Sequence, residues 1–417
     1  MKIKQIYARE ILNSKGYPTV EVALFLENGI SAVSSCPMGT SVSKYEAREL
    51  RDEDPNRFQG YGVTKAVHNI ISAISPKLIG IDVEKQHDID KIMIQLDGSS
   101  EKGNLGANAI LPVSMAVAKA GAKSMNLPLF AYIHQFSSLR SSPFKIPSPA
   151  FNIINGGKHA NNNLDFQEFL IIPASSMPFH ETLNMAVSIY RSLRKSLQNK
   201  GVSTLVGDEG GFGPSFSTNR DALIMLSDAI SGGKYRINYD VFLGIDASAN
   251  NFYKDGTYLI KDKDKSLTSD ELATVYEGLN EEYNLFYLED PFSEDDWEGW
   301  ENLNNLSSKN TLIIGDDLIS TNFARLQTAI EKKAISGIII KPNQIGTIIE
   351  TLAVVEAARN AGLKIIVSHR SGETNDDFIA DFAVGVGADY AKFGAPARGE
   401  RVAKYNRLLE IESQLNK

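Results

Sequence analysis

The sequence predicts an α/β protein in two parts, a small N-terminal α+β domain followed by a C-terminal β/α barrel, and three observations carry that reading. An early stretch, TVEVALFLENGISAV, is rich in β-branched and aromatic residues and contains Asn28-Gly29, the dipeptide most favourable to a two-residue hairpin turn. In the second half of the chain, short apolar runs alternate with helical patterns, and the runs end on ionisable residues or histidine. These ends fall 23 to 43 residues apart, mostly the length of one strand, one helix and two loops.

In chain order, the hairpin comes first. Segments 43–51 (SKYEARELR), 63–74 (VTKAVHNIISAI), 83–96 (VEKQHDIDKIMIQL) and 107–125 (ANAILPVSMAVAKAGAKSM) then carry apolar residues three and four apart, the period of a helix with one buried face. Together they make a domain over residues 1–135, an ordinary size. The Ser- and Pro-rich stretch 137–150 (SSLRSSPFKIPSPA) reads as a linker at the head of a second domain, 136–417. There VFLGID ends at Asp246, LFYLE at Glu289, LIIGD at Asp316, GIIIK at Lys341, KIIVSH at His369 and DYAK at Lys392. A charge after a single apolar run is commonly a solvated loop residue. Six in register are expected around one mouth, because β/α barrels carry their sites at the C-terminal ends of the strands.

Composition narrows the chemistry. Apolar residues make up 42% and charged residues 23% of the 417, the values of a folded globular chain. A net charge of −8 supplies no positive field for nucleic acid or a membrane surface, so neither is expected as a partner, and an anionic substrate must be met by local cations. Cys36 is the only cysteine, which excludes an internal disulfide and a Cys-rich zinc site. The opening MKIKQIYARE lacks the apolar run of a signal peptide, and the longest apolar stretch, Ile110 to Ala122, is broken by Lys119. A cytoplasmic protein is expected.

Asp246, Glu289 and Asp316 are hard oxygen ligands suited to Mg²⁺ rather than zinc. Lys341 and Lys392 would share their mouth, where mutual repulsion and metal charge are expected to leave one neutral and able to act as a base. A metal beside a lysine base suits removal of a proton next to a carboxylate. Glu209, in the glycine-rich VGDEGGFGP, is placed to act as an acid, with Glu168 of DFQEFLII as a second carboxyl group. SHRSGET offers Arg370 and Ser371 as an anion clamp after a strand. Neither GDEGGFG nor GVGADY reads G-x-G-x-x-G, which sets aside a dinucleotide-binding enzyme.

Read together, NIINGGKHA, QEFLIIP, VGDEGGFGP, LEDPFSEDDWEGW, GDDL, KPNQIGT and SHRSGET resemble the enolase family in order and spacing, over essentially the whole chain. The resemblance implies reversible dehydration of 2-phosphoglycerate to phosphoenolpyruvate with two Mg²⁺ ions, the second bound with substrate. By the same likeness, Asp246, Glu289 and Asp316 hold the first ion and Ser41 completes the second site. Lys341 is the base, Glu209 the acid and Glu168 its carboxyl partner, while His159 is a loop histidine that closes over substrate. Gln167, Arg370, Ser371 and Lys392 touch substrate, with His369 beside them. A homodimer, or an octamer built of dimers, is the implied assembly. The sequence departs from the family pattern at Met38–Ser43 and at Asn13–Pro18. Related barrel enzymes with other reactions resemble one another in carrying Lys-x-Lys on an early strand, where DFQEFLII has Glu168 and no lysine.

Overall fold

The computed structural model describes residues 1–40, 42–160, 162–261, 263–307 and 310–416. Three antiparallel strands, β1 (Ile3–Leu12), β2 (Pro18–Leu26) and β3 (Ser31–Ser35), open the chain as a meander. The expected turn joins β2 to β3, with Gly29 at φ +87°, a conformation glycine adopts without strain. β1 is additional to the predicted hairpin. Its residues IKQIYAREIL do not alternate, because the strand lies at the sheet edge and buries only Ile3 and Ile6.

The helical patterns become Thr64–Asn69 continued by a π turn at Ile70–Ile74, then Gln86–Asp97 and Ala107–Ser124. Segment 43–51 is not a helix, contrary to its periodicity. Its backbone donors are taken by distant partners: Ala47 N–H donates to Gln344 O at 2.7 Å, Arg48 N–H to Glu101 O at 2.7 Å and Leu50 N–H to Asn108 Oδ1 at 2.8 Å. Donors committed to tertiary partners cannot close an i→i−4 ladder. The segment instead crosses towards the second half of the chain.

Val20, Val22 and Leu24 of β2 share an apolar core with Ile110, Val113 and Val117 of the helix Ala107–Ser124. Leu111, Met115 and Ala118 of that helix belong to the larger core of the barrel. Buried on both sides, it joins the two halves.

Nine strands form the second sheet: β4 (Ser148–Pro149), β5 (Phe151–Asn155), β6 (Glu168–Pro173), β7 (Val241–Asp246) and, after a small hairpin β8 (Tyr253–Lys254) and β9 (Thr257–Tyr258), β10 (Tyr287–Glu289), β11 (Leu312–Gly315), β12 (Gly337–Ile340), β13 (Lys364–Ser368) and β14 (Tyr390–Lys392). Their order is β4-β14-β13-β12-β11-β10-β7-β6-β5. One stretch draws the ends together: β4 pairs with β14 and Ala150 N–H donates to Ala391 O at 2.8 Å, while β5 pairs with β6. The run from β7 to β14 is parallel as expected, but β6 is antiparallel to both of its neighbours. Reversal puts the start of β6, Glu168, at the same mouth as the ends of the parallel strands. The barrel interior is filled by Leu170, Ile172, Tyr287, Ile314, Ile339 and Ile366, so it is a packed core with its chemistry at one rim.

Candidate active site

The six strand ends meet as expected. Asp246 lies in register between Glu168 of β6 and Glu289 of β10, so three carboxylates stand side by side on adjacent strands. Lys392 projects into this row: Nζ is 2.9 Å from Glu168 Oε2, 3.0 Å from Asp246 Oδ2 and 2.8 Å from both oxygens of Glu289. Burial opposes charge on Lys392, yet Asp246, Glu168 and Glu289 outweigh it and hold its pKa well above the usual lysine value. Glu289 also accepts from the Tyr287 hydroxyl at 2.6 Å, deep in the barrel.

Lys341 follows β12 and is bonded to Asp316, which follows β11. Burial lowers the lysine's proton affinity, but the Asp316 carboxylate prevails and raises its pKa, while Asp316 itself is held below the usual carboxylate range. Repulsion between the two lysines therefore does not leave either neutral in this arrangement. Each has its own carboxylate partners, and the nearest charge decides.

Across the cavity, the other carboxyl pair is arranged around two histidines. His369 Nε2 is 3.1 Å from Glu209 Oε2, which also accepts from the Asn152 amide at 3.2 Å. His159 stands between the carboxylates, with Nδ1 3.3 Å from Glu168 Oε1 and Nε2 3.7 Å from Glu209 Oε1. Burial would raise both carboxyl pKa values. At Glu209 the His159 charge, the hydrogen bond from His369 and the Arg401 charge reverse this and lower it well below the ordinary value. At Glu168 burial and the Glu209 charge prevail, raising it to about 7. Of the two carboxyl groups, Glu168 therefore holds a proton the more tightly and Glu209 the less.

Arg370 and Ser371 lie beyond β13, as the clamp reading expects. Both are engaged from the N-terminal half: Arg370 is forked onto Glu46, and the Thr40 backbone N–H donates to Ser371 Oγ at 3.1 Å. Gly39 makes this approach possible, because a Cβ there would collide with the Arg370 guanidinium. Met38 pairs with Gly372 through its backbone, N to O at 2.8 Å, and the Ser43 hydroxyl donates to Glu294 at 2.6 Å. The segment that departs from the family pattern is docked on the barrel at both ends. Ser41 lies outside the described residues. Gln167 reaches Asp246 Oδ2 at 3.4 Å and accepts from Asn251 at 3.3 Å. A cavity of about 30 Å³ opens here, lined by Glu168, Glu209, Asp246, Asp316, both lysines, both histidines, Gln167, Arg370 and Ser371.

Asp246 Oδ1 is buried without a hydrogen-bond partner, an unmet acceptor beside other carboxylates that fits a hard cation. Among the described residues, the tightest acidic or histidine groups that could hold a metal ion are His159, Glu168 and Glu209, and Asp290, Asp316 and Asp317. In the second, Asp290 already accepts the backbone N–H groups of Asp316 and Asp317 at 2.9 Å each, so it braces the loop that carries Asp316.

Several residues of this site were not singled out by sequence. Asn152 sits inside the apolar run FNIIN, and Glu46 gives no local signal. Arg401 and Lys404 do leave one: they fall at positions of GERVAKYNRLL that share a helix face with Tyr405 and Leu408, cations within an apolar stripe.

Carboxylates, lysines and histidines gathered at one rim of a capped β/α barrel are the arrangement of a barrel enzyme, and the family matches give it the lyase type. Residues 143–417 match the family model described as enolase, C-terminal TIM barrel domain, and residues 3–133 match enolase, N-terminal domain. The chain belongs to the enolase family. No helix among its described residues is long and apolar enough to cross a membrane.

Proposed function

We propose that the protein catalyses the reversible dehydration of 2-phospho-D-glycerate to phosphoenolpyruvate. The observation that carries this reading is the grouping of Lys341, the Glu168–Glu209 pair and the Arg370–Ser371 clamp around one cavity, within an enolase barrel. The clamp would take the phosphate. Lys341 would remove the C2 proton, and the C3 hydroxyl would leave as water with a proton delivered by Glu209, which would first take it from Glu168 across the coupled pair. Dehydration thus breaks one C–H and one C–O bond and forms the C2–C3 double bond. His159 would lie over the carboxyl pair, and Gln167 and Lys392 towards the substrate carboxylate.

Asp246, Glu289 and Asp316 would hold a first Mg²⁺, and Ser41 would help hold a second when substrate is present. Bound Mg²⁺ supplies positive charge to offset the negative charge that develops at the substrate carboxylate. Asp316 would have two roles: its carboxylate would be a ligand, and Lys341 would then be without the partner that keeps it protonated. Burial, Arg370 and Lys392 then all favour the neutral amine. A homodimer, or an octamer of dimers, in the cytoplasm belongs to the same reading.

The test is phosphoenolpyruvate formation from 2-phosphoglycerate, followed by ultraviolet absorbance with saturating Mg²⁺. Turnover is expected. Its absence in folded, Mg²⁺-loaded protein would contradict the assignment.

A further inference from the structure

Arg401 is fully buried in the helix Gly399–Leu415, and its guanidinium gathers the loops that carry the acid and the clamp. Nη1 lies 2.6 Å from His369 Nδ1 and donates to Arg370 O at 2.6 Å, while Nη2 donates to Ser371 O at 2.5 Å and Asp208 O at 3.2 Å. We propose that Arg401 is a positioning residue that fixes the tautomer of His369, and through it the charge of Glu209.

The chemistry is one-directional. A guanidinium has donors and no acceptor, so the Nδ1 atom facing it must present its lone pair. The ring proton is then confined to Nε2, which is 3.1 Å from Glu209 Oε2 and donates to it. In the opposite tautomer an Nδ1–H would point at a cation, and the Nε2 lone pair would face the carboxylate. A doubly protonated ring would likewise place a proton against Arg401. The charged groups around His369 are Glu209, Arg401 and Glu373, and Glu373 is matched by Lys404 at 2.8 Å from the same helix. Burial, with the Arg401 charge, lowers the His369 pKa to about 4, although Glu209 pulls the other way. Gly394 makes room for the ring, since a Cβ there would stand 3.0 Å from His369 Cε1.

The consequence for turnover rests on the proposed reaction, but the tautomer does not. Histidine ring nitrogens are read in substrate-free, isotopically labelled full-length protein by long-range ¹H–¹⁵N correlation, with the His369 signals assigned by their loss in His369→Asn. The wild-type ring is expected as the neutral Nε2–H form from pH 6 to pH 8.5. An Nδ1–H ring or an imidazolium at pH 7 overturns the proposal whether or not the protein turns over 2-phosphoglycerate. In Arg401→Gln, His369 is expected to titrate at least one pH unit higher, with the loss of kcat/KM larger at pH 6 than at pH 8. Arg401→Lys, which keeps a cationic donor, restores the wild-type tautomer. An unchanged tautomer in Arg401→Gln, with an equal loss of activity at every pH, overturns the proposal. If Arg401→Gln does not fold, the wild-type and Arg401→Lys spectra decide.

Discussion

Arg370 is forked onto Glu46, with Nη1 2.8 Å from Oε2 and Nη2 3.1 Å from Oε1, so the guanidinium offered by the barrel is matched by a carboxylate from the N-terminal domain. Both side chains are only 4% exposed, so the pair is desolvated and strongly felt. In the proposed reaction a substrate phosphate at Arg370 and Ser371 would compete with Glu46.

Glu46→Gln removes that competitor and leaves Arg370 short of a counter-charge. Inorganic phosphate is expected to bind this variant about five- to tenfold more tightly than wild type, equivalent to ~1 kcal/mol. The measurement is isothermal titration calorimetry. Equal or weaker binding would show that Glu46 does not stand in the phosphate's place.

Gly39→Ala tests the approach from the other side. The added methyl meets the Arg370 guanidinium, which must move off Glu46 and out of line with Ser371. The KM for 2-phosphoglycerate is expected to rise about tenfold or more, with the thermal midpoint shifted by only a few degrees. A KM equal to wild type would mean that the guanidinium relocates without cost.

Asp90 supplies a pH dependence away from the mouth. It is buried, accepts from Gln86 at 3.0 Å and from Ile349 N–H of a barrel helix at 3.1 Å, and burial raises its pKa to about 7. A carboxyl group with a raised native pKa binds more protons folded than unfolded, so its contribution to stability falls as pH rises from about 4 to about 7. Relative to Asp90→Asn, wild type should lose roughly 2 kcal/mol between pH 5 and pH 8, since a tenfold change in proton affinity is worth about 1.4 kcal/mol and partial relaxation takes some of it back. Chemical denaturation at the two pH values measures it, and a constant difference would contradict the burial argument.

Mg²⁺ is expected to raise the thermal midpoint of the wild-type protein, by about 2.7 kcal/mol of linkage free energy at a hundredfold excess over Kd. Asp246→Asn should lose most of this stabilisation, because it removes the carboxylate with the unmet acceptor. Chelator should abolish turnover, and added Mg²⁺ restore it. Full activity in metal-free buffer would refute the ligand assignment.

The barrel is legible in the sequence because a parallel β/α repeat spaces its strand ends regularly, and Asp246, Glu289, Asp316, Lys341, His369 and Lys392 all arrive at one rim. The reversal of β6 is not, since Glu168 starts a run whose direction depends on a pairing with β7 that no local pattern encodes. Segment 43–51 misleads for a related reason: helical periodicity there is overridden by donors drawn to Gln344, Glu101 and Asn108. The charge states also need the fold, because Lys392 touches Glu168, Asp246 and Glu289 from across the barrel.

In the proposed reaction Lys341 and Glu209 act on neighbouring carbons in separate steps. Exchange of the C2 proton of 2-phosphoglycerate with deuterated solvent, followed by NMR, separates the two. Glu209→Gln should exchange that proton while forming phosphoenolpyruvate at least about a hundredfold more slowly than wild type, and Lys341→Ala should do neither. Exchange by Lys341→Ala at the wild-type rate would contradict the account.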